Sequence, residues 1–138
     1  ATDHAPHTWE EKQGNYFDCP SGLPLIQHSL LILLELYRAG EISLENIVRK
    51  TSHALADLYQ IEERGYLREG YWADLVLVDL DKPTAVEKSG LLAKCGWSPF
   101  DGETFSATVE TTVVSGQVAW NKGRLKEETR GRALRFNR

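Results

Sequence analysis

Methionine is absent from the 138-residue sequence, and the chain opens on Ala1. The expectation is a cleaved start or a piece of a longer chain. Cysteine is scarce: Cys19 and Cys95 stand far apart and form no C-x-x-C pair, which excludes a disulfide framework. A reducing, cytoplasmic setting fits that usage. No apolar run is long enough to cross a bilayer; the longest, LLILL, covers residues 30–34. The opening residues do not follow the charged-then-apolar pattern of a secretion signal. A surplus of positive charge is missing too: 16 Lys and Arg face 20 Asp and Glu, a net charge of −4. That balance gives no reason to expect nucleic acid or an anionic membrane as partner. Basic residues gather only in the closing GRLKEETRGRALRFNR, where Glu127 and Glu128 dilute them, and a solvated tail is expected. Repeats and low-complexity tracts are also lacking. With 41% hydrophobic and 26% charged residues, what remains is an ordinary globular chain.

Within that frame the chain divides into helical and extended parts. Residues 1–22 read as loop, rich in Pro, Gly, Asn and Asp. A helix is expected over residues 25–39, with Leu30, Leu33, Leu34 and Tyr37 at helical spacing and Gly40 as its stop. Leu31, Ile32 and Leu36 fill other sides, so this helix is buried rather than amphipathic. A second helix follows Ser43 as N-cap, with Leu44, Ile47 and Val48 facing inward, and a third short one covers residues 54–59. After Gly65 the pattern becomes extended. ADLVLVDL, residues 73–80, reads as a strand, with Asp74 and Asp79 at its ends. FSATVETTVVSGQVAWN reads as a hairpin turning at Ser115 and Gly116. Helices first and strands later imply segregated parts, and so few strands need a partner from elsewhere.

The candidate chemistry lies at the front. Asp3, His4 and His7 crowd into ATDHAPH. By spacing alone the cluster fits either a solvated polar turn or part of a metal site, since carboxylate and imidazole both bind zinc. A catalytic zinc needs about three protein ligands, so the cluster cannot decide alone. His28 and His53 read as packing residues, Trp9, Trp72, Trp97 and Trp120 as core or interface aromatics, and Cys19 as a small apolar residue.

The whole string says more. TDHAPH, residues 2–7, resembles the signature after the eighth barrel strand of the dihydroorotases, within the cyclic amidohydrolase superfamily. CPSGLPLIQ at 19–27, REGYWADLVLVDL at 68–80, WSPFDG at 97–102 and TTVVSGQVAWNKGRL at 111–125 resemble later segments of the same family, in the same order. The resemblance implies an α/β class: residues 1–62 as the C-terminal end of a metal-dependent hydrolase TIM barrel with its active-site loop, and 63–138 as part of an accessory β domain. It implies zinc, one or two ions, with Asp3 as ligand and as the carboxylate that moves the proton. It assigns His7 to the substrate carboxylate and Pro20, Ser21 and Gly22 to backbone contacts with the substrate ring. Close approach of backbone to a ligand is a reason for glycine at position 22. His4 is left as a packing residue. Many relatives carry glutamate at the position of Gln27 and glycine at that of Leu25.

The family's H-x-H metal pair, modified lysine, remaining metal histidines and carboxylate-binding arginine and asparagine have no match here. The implied activity is zinc-dependent interconversion of dihydroorotate and N-carbamoyl-aspartate in pyrimidine synthesis, with this chain an inactive portion that needs the N-terminal remainder of the enzyme as partner. A homodimer is the other partner considered. Two alternatives stand beside it: a noncatalytic dihydroorotase-like scaffold, and an allantoinase or hydantoinase. The histidine at position 7 separates the last from the first.

Overall fold

The structure, a computed structural model, describes residues 2–137, so Ala1 lies outside the described residues. A single 3₁₀ turn, Ile26–His28, leads into helix α1, Ser29–Arg38. Ser29 Oγ donates to the Leu25 carbonyl at 2.9 Å, which tightens this entry. Gly40 ends the helix as expected. Its φ of +78° lets its N–H reach the Tyr37 carbonyl while the Glu41 N–H reaches that of Leu36, both at 2.9 Å.

Ser43 caps α2, Leu44–Val48, its side chain accepting from the Asn46 N–H at 3.2 Å. The second and third helices, read as separate elements, are continuous. A π turn, Arg49–His53, joins α2 directly to α3, Ala54–Tyr59. Thr51 Oγ1 donates to the Ile47 carbonyl at 2.8 Å and so competes for the acceptor of a regular i−4 bond. The polar run RKTS hides this continuity, because it interrupts the apolar period. Val48 also departs from expectation. Ile47 is 4% exposed but Val48 is 47% exposed. The core against α1 takes Leu44 and Ile47 and leaves Val48 at its margin.

Every strand pair is antiparallel. One sheet has the order β1-β4-β5-β6, formed by Leu75–Asp79, Thr108–Val114, Gln117–Asn121 and Arg124–Leu125; Thr84–Ala85 (β2) and Thr104–Phe105 (β3) make a second, small one. The expected hairpin is β4 with β5. Its turn residues Ser115 and Gly116 have φ of +50° and +82°, the two left-handed positions of a type I′ turn. Asp74 secures that turn: its carboxylate accepts the Ser115 N–H at 2.7 Å and pairs with Arg64. The strand at 73–80 contracts to β1 because this work takes Asp74 out of the ladder. Sequence reading leaves the closing residues as a solvated tail, yet they fold back. Ile61 pairs with Phe136, the Glu62 N–H donates to Arg135 O at 3.0 Å, and Arg132 lies 4.5 Å from the Trp72 ring.

The apolar core crosses from helices to strands. Leu31, Leu34 and Ile47 meet Val86, Phe105 and Ala107, with Leu33, Val78, Leu80 and Phe100 packed around them. Fully burying a side chain of this kind contributes roughly 1.5–3 kcal/mol. β1 is an edge strand, and Leu75, Val76 and Leu77 on it remain 37%, 48% and 53% exposed. Among the described residues no helix is long and apolar enough to cross a membrane.

His28 sits inside this core, as expected of a packing histidine. It lies edge-on to Phe100 at 5.6 Å and stacks on Phe105 at 5.8 Å. Burial holds its pKa below the usual 6.5. The unfolded chain therefore binds the proton more readily. The stability that His28 confers is complete above about pH 6.5 and declines as pH falls through the lowered native value. Melting curves between pH 7.5 and 5 should show this loss, and His28→Phe should flatten it. An unchanged slope in that variant would place the pH dependence elsewhere.

Candidate active site

Two segments distant in sequence lie side by side. His4 and Leu23 form a short parallel bridge, and the Ala5 N–H donates to the Leu23 carbonyl at 3.2 Å. The signature 2–7 is thereby laid along the loop 20–23. Gly22 makes the contact possible. Its φ is +107°, and a Cβ placed on it would lie 2.4 Å from the Ala5 Cβ. The glycine is thus required by protein packing at Ala5, a reason the sequence does not reveal.

Asp3 is exposed and has φ of +45°, the left-handed region that Asp and Asn tolerate better than most residues. The chain then tightens about Pro6, where the His7 N–H reaches the Ala5 carbonyl at 2.9 Å. His7 is partly buried. Its backbone carbonyl accepts from Trp97 Nε1 at 2.8 Å, and its Nδ1 lies 3.7 Å from Glu11 Oε2. Trp9 and Trp97 meet edge to face at 5.7 Å beside it. His4 Nδ1 accepts from the Ile26 N–H at 3.4 Å, which ties the signature to the entry of α1.

Three residues that sequence reasoning does not assign, Thr8, Glu11 and Lys12, organise this region together with Cys19 and Gln27. Thr8 and Glu11 form a reciprocal cap: the Thr8 N–H donates to Glu11 Oε2 at 2.7 Å, and the Glu11 N–H to Thr8 Oγ1 at 3.3 Å. That backbone N–H, with the threonine hydroxyl and nearby His7 adding to it, lowers the Glu11 pKa. The spacing T-x-x-E is a readable capping signal, so this element is legible in principle. Lys12 Nζ donates to the Pro20 carbonyl at 2.6 Å and to that of Gly22 at 3.3 Å. Cys19 Sγ donates to Lys12 O at 3.0 Å, consistent with a packed thiol. Gln27 uses both ends of its amide: Nε2 donates to Gly90 O and Oε1 accepts from the Leu92 N–H, each at 2.8 Å. A glutamate there could not donate to Gly90 when ionised.

The structure thus brings Asp3, His7, Pro20, Ser21 and Gly22 into one region at the front of α1. It does not complete a metal site. No group of three or more His, Cys, Asp and Glu side chains that could hold a metal occurs among the described residues. Asp3 supplies a single carboxylate, short of the three or so donors a catalytic zinc requires.

Residues 24–120 match the profile of the Amidohydrolase family. The chain belongs to the amidohydrolase family. Among its amidohydrolase relatives, the dihydroorotase of Halobacterium salinarum is 38% identical over 88% of this chain and 28% of its own length. The dihydroorotase of Clostridium acetobutylicum is 33% identical over 87% of this chain and again 28% of its own. A solved structure, the L-hydantoinase (dihydropyrimidinase) of Arthrobacter aurescens, superposes with a TM-score of 0.75 at 30% identity, over 81% of this chain and 25% of that one. The chain therefore spans under a third of the length of these relatives.

Proposed function

We propose that the chain is the C-terminal portion of a dihydroorotase that interconverts dihydroorotate and N-carbamoyl-aspartate in pyrimidine synthesis. The observation that carries this is the docking of the signature 2–7, which holds Asp3 and His7, onto the loop 20–23. In this reading residues 1–62 close the barrel and 63–138 belong to an accessory β domain. The remainder of the enzyme covers the exposed residues of β1. Zinc is the proposed cofactor, with Asp3 the ligand from this chain and the other ligands outside it.

The chain's own residues then have defined tasks. Water adds to the ring carbonyl carbon, and the ring C–N bond breaks. The Asp3 carboxylate accepts the proton of the attacking water and delivers it to the leaving nitrogen, so it ends the cycle as it began. His7 holds the carboxylate of the substrate, and Trp97 and Glu11 fix the turn that presents it. The backbone of Pro20, Ser21 and Gly22 borders the ring.

The likeness to the L-hydantoinase keeps a second reading in play, a cyclic amidohydrolase for substrates without a carboxylate. The complete protein should be assayed on dihydroorotate, hydantoin and dihydrouracil in parallel. Turnover of dihydroorotate supports the first reading; turnover confined to the neutral rings supports the second. His7→Ala should raise KM for dihydroorotate about ten- to a hundred-fold, the loss of one charge-assisted contact of roughly 1.5–3 kcal/mol. Metal content should hold. A variant with normal KM and lost zinc would remove His7 from the substrate and make it a metal ligand.

A further inference from the structure

We propose that Lys12 is a positioning residue for the substrate loop, a role that rests on the dihydroorotase reading above. Lys12 lies in the segment 8–19 that connects the signature to the loop 20–23. It donates to the carbonyls of Pro20 and Gly22 at 2.6 Å and 3.3 Å, in a partly buried setting. Those are two of the three residues whose backbone borders the substrate. A charge-assisted bond to a carbonyl is stronger than a neutral one, and two from one ammonium fix both peptide planes.

The consequence follows from peptide geometry. No cis peptide bond occurs among the described residues. In a trans unit the C=O and the N–H point in opposite directions. With the Pro20 carbonyl held on Lys12, the Ser21 N–H is aimed away from the ammonium. Among the described residues that N–H has no hydrogen-bond acceptor. Lys12 therefore sets the direction in which the loop offers a donor. Its own nitrogen, already engaged by two carbonyls, does not serve as the substrate's charge partner.

The far side of the loop is clamped separately, by Gly22 against Ala5 and by Cys19 Sγ on Lys12 O. Loss of the ammonium should loosen the loop without dissolving the fold, since the residue lies outside the apolar core.

The test uses the complete protein and three variants: Lys12→Met, which keeps the stem, Lys12→Gln, and Lys12→Arg, which keeps the cation. Lys12→Met should raise KM for dihydroorotate about ten-fold, with kcat within about three-fold, because chemistry at Asp3 is untouched. Amide hydrogen exchange across residues 18–25 should accelerate in Lys12→Met and Lys12→Gln, and Lys12→Arg should restore much of both readouts. A raised KM with unchanged exchange would mean that Lys12 touches the substrate directly, and the positioning role would be wrong. Unchanged exchange and unchanged KM would overturn it outright. The exchange measurement needs no substrate. If the wild type fails to turn over dihydroorotate, the function assigned above falls, while faster exchange in Lys12→Met still upholds the hold on the loop.

Discussion

Asp3→Asn in the complete enzyme is expected to lower kcat for dihydroorotate by about a hundred-fold or more. General acid–base catalysis contributes roughly 10²–10⁴, and the amide of asparagine cannot accept the proton of the attacking water. The substitution suits the site for a backbone reason as well. Asp3 stands at φ of +45°, a conformation that asparagine adopts as readily as aspartate. The turn that carries His7 should survive, so KM should change much less than kcat. Zinc analysis of the same protein separates the two roles proposed for this carboxylate. Lost turnover with retained metal assigns Asp3 to proton transfer. Lost turnover with lost metal makes it chiefly a ligand. Near-normal kcat would remove Asp3 from the reaction.

How much of this was legible in the sequence depends on the range of the interaction. The β4–β5 hairpin was, because Ser-Gly between the β-branched run TTVV and the extended QVAWN encodes both the turn and the strands locally. The end of α1 was, because Gly40 supplies a left-handed cap within one turn of the helix. The π turn was not. Arg49–His53 is polar and nowhere fully buried, and nothing in its pattern distinguishes a connecting loop from a wider helical turn. The return of the tail to the end of α3 was equally invisible, since it rests on Arg135 and Phe136 meeting Glu62 and Ile61, far upstream in the sequence.

The candidate site divides in the same way. Asp3 and His7 were readable because their chemistry and their resemblance to a family signature lie in one short string. Thr8 and Glu11 could have been read from their spacing alone. Lys12 and Trp97 could not. One acts on carbonyls eight and ten residues downstream, and the other reaches the His7 carbonyl from across the fold. Long-range hydrogen bonds to backbone leave no pattern in composition, because any carbonyl can accept them. Gly22 is the instructive case: the family resemblance implies one reason for the residue, a close ligand, and its contact with Ala5 supplies another.

Gly22→Ala tests which reason governs. The structural account has two independent penalties. A side chain at φ of +107° is strained, at about 1–3 kcal/mol. A methyl at this position would overlap that of Ala5, with 2.4 Å between the two Cβ atoms. Overpacking of this kind adds roughly 1–3 kcal/mol unless the segments part. The variant should therefore lower the unfolding free energy by about 2–4 kcal/mol in a denaturant titration. It should also weaken dihydroorotate binding, because the signature and the loop meet at this contact. The double variant Ala5→Gly, Gly22→Ala isolates the overlap. It should recover the packing share of the loss and leave the strain, so the two substitutions should be strongly non-additive in a double-mutant cycle. If the double variant is as unstable as the single one, Ala5 is not the neighbour that matters. If stability is normal and only KM rises, the glycine is there for the ligand, and the reason legible in the sequence is the right one.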